Sequence, residues 1–434
     1  MTLIQTLADR WAGISRPFLV AGARQLTFAD LLAAEAADLS QVRSGDVVAL
    51  IGDFDAGSIA TLLRLIDLGT TVVPLTVETR AEHDYFFETA HVDVVVEGGS
   101  VHRRSAPARH PLLEDLRARG HAGLVLFSTG TTGRPKAILH DMTLFLQRFE
   151  TPRPTQKTLN FLLFDHIGGL NTLLHTLFNR GSVVAPPART VEAVLATCAE
   201  HGVEVLPTTP TFLRMMLMSG AVPSRVPASL KLITYGTERM DQPTLDELCR
   251  LLPGVDFRQT FGMSELGIVR AKSEARDSLF MKIGGEGVET RIVNGVLQIR
   301  SATRMLGYLN APSPFDAEGW YDSKDMVEAR DGFLRVVGRT SDVINVGGLK
   351  FMASEVERAA LEHPGVALVR AFARQNPITG QHVEMTVQPQ PGEAGQALDR
   401  AALTQWLKTR LQPHMVPRRL HLEAVAVGHR FKRA

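Results

Sequence analysis

Short apolar runs alternate with stretches of helical period through the first half of the chain. The run Val47–Ile51 reads as a buried strand, and Ile59, Leu62, Leu63 and Ile66 share one face of a helix. Past Gly69, residues 71–74 read as a second strand, followed by strands at 92–96 and 124–127. The series continues at 159–164, Ser182–Ala185, 204–206, 230–234 and Asp256–Gln259, with helical stretches such as Val191–His201 between. Strands spaced by helices imply βαβ units and a parallel sheet. Near the start, Thr27 followed by Asp30 predicts a capped helix with Leu31, Leu32, Ala36 and Leu39 on its apolar side.

After about Gly284 the pattern changes. Residues 289–293 and 296–300 flank Asn294-Gly295, a hairpin signal, which predicts a small antiparallel unit. A third region begins near Gly338. Ser354 with Glu357 predicts a capping box, followed by strands at 366–373 and 382–388 and a helix near 401–411. The stretch 389–396 is the most linker-like. The expected fold class is α/β: a large N-terminal α/β domain with parallel sheets and a small antiparallel subdomain, then a small α+β C-terminal domain.

With 434 residues the chain can bury a large core and hold at least two domains. Its 47 basic and 46 acidic residues leave a net charge of +1, which argues against a nucleic-acid partner; Arg103-Arg104 and Arg418-Arg419 read as solvated faces. Cys198 and Cys249 form neither a metal set nor a disulfide framework, so a reducing cytoplasm is the expected compartment. Asp9 and Arg10 interrupt the N-terminal apolar stretch, so no secretion signal is expected, and no apolar run approaches a membrane span.

The strongest local feature is Ser128-Thr129-Gly130-Thr131-Thr132-Gly133-Arg134-Pro135-Lys136, entered directly from an apolar strand. Its glycines let the backbone curl around an anion; its amides and hydroxyls donate to phosphate oxygens, and Lys136 adds a point charge. The spacing is not that of a Walker loop. The segment resembles the phosphate loop of the adenylate-forming superfamily: acyl- and aryl-CoA ligases, peptide-synthetase adenylation domains and luciferases.

Further segments resemble that family's motifs in its own order. Phe261-Gly262-Met263-Ser264-Glu265 is similar to its aromatic-Gly-x-Thr-Glu motif. The match implies Glu265 as the Mg²⁺ ligand, Ser264 as a phosphate contact, Phe261 and Gly262 beside the adenine, and Met263 toward the acid. Upstream, Gly236, Thr237 and Glu238 stand where the family borders adenosine. Gly319-Trp320-Tyr321-Asp322-Ser323-Lys324-Asp325 implies Asp325 on the ribose, with Lys324 replacing the family's usual glycine. Gly338-Arg339-Thr340-Ser341-Asp342 resembles the domain junction, with Arg339 on ribose and Ser341 near the hinge; domains of 1–338 and 339–434 follow, the second mobile. Gly347 and Gly348 match a hairpin that lines the thiol tunnel. Each short segment alone would be a surface turn; their joint order carries the resemblance.

The family's terminal Gly-Lys-x-x-Arg faces Gly428-His429-Arg430-Phe431-Lys432-Arg433-Ala434 here. Lys432 is the candidate for the lysine bridging acid and α-phosphate, with Arg430 as runner-up, and Phe431 stands where glycine is expected. The acid site falls on Phe164-Asp165-His166-Ile167-Gly168-Gly169 in one of two registers. His166 gates an acyl or aryl acid, or Asp165 meets an α-ammonium; the following Gly168-Gly169-Leu170 favours the first, with Gly169 beside the acid.

The resemblance implies attack of a small carboxylic acid on ATP with Mg²⁺ and catalytic Lys136, Glu265 and Lys432, then transfer to CoA or a carrier protein's phosphopantetheine. Two alternatives stand beside it: a free-standing amino-acid adenylation protein that loads a carrier, and a nucleotide-binding member without turnover. The phosphate loop arrives early, so the N-terminal subdomain reads as abbreviated, which bears on the acid pocket or on a homodimer contact.

Overall fold

The computed structural model describes residues 2–33, 36–105, 109–128, 134–428 and 430–432. Two seven-stranded sheets carry the N-terminal part. In one, Gly123–Phe127, Thr71–Leu75, Val47–Ile51 and Val94–Glu97 run parallel, with antiparallel Ala137–Asp141 and Ser100–Arg103 outside them. In the other, Asp256–Gln259, Leu232–Tyr235, Val205–Thr208, Lys157–Leu159, Ser182–Ala185 and Leu19–Ala21 are parallel neighbours.

Helices Ala56–Asp67 and Ile167–Phe178 lie between the sheets. Their Leu62, Leu63, Leu170, Leu173 and Leu174 share one core with Val48, Val72 and Leu124 from the first sheet and Val183 from the second. The outer faces are covered separately: Phe86, Leu113 and Leu116 pack on the first sheet, and Val194, Phe212, Leu245 and Leu248 on the second. Strands apolar on both faces are what a parallel sheet between helix layers demands.

A six-stranded antiparallel sheet follows, including the hairpin Val288–Val293 and Val296–Ser301. Asn294 and Gly295 have φ of +51° and +78°, the pair of left-handed residues such a two-residue turn requires. The C-terminal part is a five-stranded sheet backed by helices Ala353–Leu361 and Arg400–Lys408. The α/β class and its three sheet regions are those expected.

Three local expectations are corrected. Thr27 and Asp30 do cap each other, at 3.0 and 3.1 Å, and the described helix is Phe28–Ala33, but Ala36 and Leu39 lie in no helix. The expected strand 159–164 stops at Leu159: Phe161 and Phe164 are buried from a loop, in two different cores. Helix Ala353–Leu361 is capped at Met352, two residues before the expected Ser354, with the Met352 N–H donating to Glu355 at 2.9 Å. Glu357 lies inside that helix, where it accepts from Arg239 at 3.0 Å and from the Ala371 N–H at 3.1 Å.

Gly169 is fixed by this packing. A Cβ there would fall 2.0 Å from the Leu163 carbonyl oxygen and 2.6 Å from that of Leu162. Gly169→Ala is expected to cost roughly 1–3 kcal/mol, the usual penalty for overpacking. Urea denaturation checks this, and an unchanged midpoint contradicts it.

Candidate active site

The second sheet's parallel strands end together, and residues 160–165, 209 and 236–238 leave those carboxyl ends as loops, while Thr260 leads into the short strand Phe261–Met263 and the turn that carries Ser264 and Glu265. Ligands of open α/β sheets bind at such a crevice. Above it, Glu265 accepts a hydrogen bond at 2.8 Å from the hydroxyl of Tyr308, whose ring also carries the Lys136 ammonium 4.8 Å from its centroid. One ring thus holds an anion at its edge and a cation on its face. Burial pushes the Tyr308 phenol well up, so it stays a donor. His140 donates from Nε2 to the Ser264 carbonyl at 2.6 Å; burial lowers its pKa to about 4, which keeps the ring neutral.

Ser128 and Lys136 close the base of the candidate phosphate loop. The Ser128 N–H donates to the Lys136 carbonyl, and the Lys136 N–H to Ser128 Oγ, both at 3.0 Å. Tyr85 buttresses the same turn by donating to the Pro135 carbonyl at 2.9 Å. Thr129, Gly130, Thr131, Thr132 and Gly133 lie outside the described residues.

Asp325 and Arg339 face each other across an antiparallel strand pair, with Arg339 Nε 3.2 Å from the carboxylate. Burial raises the Asp325 pKa, and Arg339 opposes the rise. Lys324 takes φ +62°, the conformation glycine would supply, with its N–H 2.9 Å and its ammonium 2.7 Å from Asp322. Phe261 is buried, Gly262 and Met263 half-buried, in a short strand paired with Gly267–Val269. Beside Gly236 and Thr237, Glu238 accepts from the Thr211 N–H at 2.8 Å, at the start of helix Pro210–Met218.

The C-terminal tail enters this crevice. Arg430 donates to buried Asp165 at 3.1 Å and to the Phe127 carbonyl at 3.4 Å. Phe431 joins Leu162, Leu163, His166, Thr237 and Arg430 around a small cavity. Lys432 is partly buried among charges; burial lowers its pKa to about 8, Arg430 and Arg339 push the same way, and Glu238 opposes them. His166 accepts the Gly168 N–H at 3.0 Å and caps helix Ile167–Phe178. A larger concavity, about 1000 Å³, lies apart from this crevice on the C-terminal sheet around Glu384.

Ser341 is exposed in the turn Thr340–Asp342, where Asp342 accepts the Arg339 N–H at 2.9 Å. Gly347 and Gly348, with φ of +62° and +90°, form an exposed hairpin tip away from the Glu265 cluster; the Gly347 N–H bonds Thr379. The sequence reading missed Tyr85, His140, Thr209 and Tyr308. Of the chain's four tyrosines, Tyr308 and Tyr321 lie beside Glu265 and Tyr85 lies against the Pro135 turn, while Tyr235 is buried in the core of the second sheet, so residue type alone did not single these positions out.

Among the described residues no group of three or more His, Cys, Asp or Glu could hold a metal ion, and no helix is long and apolar enough to cross a membrane. A single carboxylate at Glu265 is nevertheless a fitting donor for magnesium, which takes one or two protein carboxylates beside phosphate oxygens and water.

Two family models match the chain: "AMP-binding enzyme" over residues 101–309 and "AMP-binding enzyme C-terminal domain" over 355–426. The chain is 25% identical to a 2-succinylbenzoate–CoA ligase of Bacillus licheniformis, over 94% of this chain and 92% of that one. It is 24% identical to a mitochondrial malonate–CoA ligase of Bos taurus, over 82% and 74%. Its fold matches an anthranilate–CoA ligase solved with anthranoyl-AMP, with a TM-score of 0.81 at 17% identity, covering 99% of this chain and 95% of that one.

Lys324 offers a direct check on the turn that carries Asp325. A β-branched residue is poorly tolerated at its φ, so Lys324→Val is expected to cost roughly 1–2 kcal/mol while Lys324→Gly stays within about 1 kcal/mol of the parent. Thermal melts of the two variants check this, and equal melting points contradict it.

Proposed function

The chain belongs to the adenylate-forming superfamily, as an AMP-forming acid–thiol ligase, and on that premise we propose how its residues divide the work. The enzyme activates a carboxylic acid with ATP as an acyl-adenylate and passes the acyl group to a thiol. Ser128, the 129–133 loop, Ser264 and Lys136 take the phosphates. Tyr308 holds Lys136 and Glu265 at a fixed separation. Glu265 would hold magnesium, which would supply positive charge beside the phosphates. Asp325 and Arg339 hold the ribose; Phe261, Gly262 and the 236–238 turn border the base.

A small acid enters the crevice beside Leu162, Leu163, His166 and Thr237. Both reactants are anionic, so the barrier is largely electrostatic and positional. Lys432 stabilises the charge where carboxylate and α-phosphate converge. The 339–434 domain then turns about Ser341, withdraws Lys432, and brings Gly347 and Gly348 to the path of the thiol. The acceptor is CoA or a carrier protein's phosphopantetheine. The chain's own thiols are poor candidates: burial pushes Cys198 up to about 12 and also raises Cys249. Two unpaired cysteines suit a reducing cytoplasm.

The observation that carries this reading is the placement of Lys432 at this crevice, on a tail seated by Arg430 on Asp165 and by the Phe431 carbonyl on Thr209. Lys432→Ala is expected to slow adenylate formation by about 10²-fold or more while sparing thiol transfer from a supplied adenylate. Catalysis needs the ammonium, so the wild-type adenylation rate should hold below pH about 8 and fall as pH rises through it, a limb absent from the variant. Half-reaction kinetics across pH check both, and equal slowing of the two halves contradicts the assignment.

A further inference from the structure

Phe431 stands one residue before Lys432 with φ +54°, a conformation strained for a bulky side chain and natural for glycine. Something must hold it there. Its ring lies 4.8 Å from Phe161 and 5.7 Å from Phe212, centroid to centroid, against the core of the second sheet. Its carbonyl accepts from Thr209 Oγ1 at 2.7 Å, and that same hydroxyl accepts the Phe212 N–H at 3.1 Å as the cap of helix Pro210–Met218. Its own N–H donates to the Gly428 carbonyl at 2.9 Å, and the Gly428 N–H to the Lys432 carbonyl at 2.9 Å, which closes a tight turn.

We infer that Phe431 is a positioning residue, a hook that seats Lys432 for adenylation and must leave the Phe161–Phe212 slot before thiol transfer. The inference rests on the role proposed for Lys432. A tail residue outside any helix or strand gains orientation only from such contacts, and an error of about 1 Å in a reacting group can cost about 10²-fold. The aromatic slot supplies the contact, and the Thr209 hydroxyl fixes its depth. The left-handed backbone at Phe431 turns its ring into the slot and leaves the next side chain among Glu238, Arg339 and Arg430. A ring that only completed the core would affect both half-reactions and the melting temperature together.

The test compares the full-length wild type with Phe431→Ala and with Phe431→Leu, which refills the slot. Trypsin accessibility at Arg430 and Lys432, followed by mass spectrometry without substrates, reads the hook itself. The Ala variant should be cut at least roughly tenfold faster than wild type, with the Leu variant close to wild type. In half-reaction kinetics, Phe431→Ala should lower the adenylation rate at least roughly tenfold with KM for ATP little changed, and transfer to CoA from a supplied adenylate should be as fast or faster. Its alkaline limb should move upward as Lys432 regains water. Equal trypsin protection in wild type and the Ala variant overturns the inference, as does parallel loss of both halves with a lowered melting temperature. A wild type that forms no adenylate from any acid would sink the proposed function, while the trypsin comparison would still decide the hook.

Discussion

An ammonium drawn out of water must be compensated, and the seam between the N- and C-terminal parts is arranged around one, Lys432. Glu238 is the carboxylate whose charge favours it there. The two neighbouring guanidinium groups are each matched by a carboxylate, Arg430 by Asp165 and Arg339 by Asp325. Farther along the seam, Arg239 meets Glu357 at 3.0 Å and Arg214 donates to the Ala367 carbonyl at 2.9 Å. Buried ion pairs add little net stability, yet removing one partner is costly. A seam built this way favours one register.

Much of this was legible in the sequence, for identifiable reasons. Val47–Ile51 and Ser182–Ala185 are short β-branched runs between helical stretches, and they form strands with the expected bounds. Asn294-Gly295 makes a hairpin because the pair accepts two left-handed residues. Boundaries failed where tertiary packing overrode local pattern: residues 161–164 are as apolar as a strand, but their aromatic rings are buried from a loop. Glu357 looked like half of a cap, and instead answers Arg239 across the seam. Candidate residues such as Glu265 were named by a motif, whereas Tyr308 and His140, which hold Glu265 and the Ser264 carbonyl from distant strands, belong to no local pattern.

Two departures from the family's motifs share one physical resolution. Lys324 and Phe431 both stand where the resemblance expects glycine, and both adopt positive φ, at +62° and +54°. Each is held by its own contacts: Lys324 by Asp322, Phe431 by Thr209 and the aromatic slot. The backbone path is kept while the residue that usually makes it easy is absent. That is how a chain can drift in sequence and still keep the same backbone path.

Pyrophosphate release from ATP, measured across small aliphatic, aryl and amino acids with and without CoA, tests the central claim most directly. The account predicts release with one class of small acid, accompanied by AMP in equal amount and accelerated when a thiol acceptor is present. ATP binding without pyrophosphate release for any acid, or release of ADP and phosphate in its place, would contradict it.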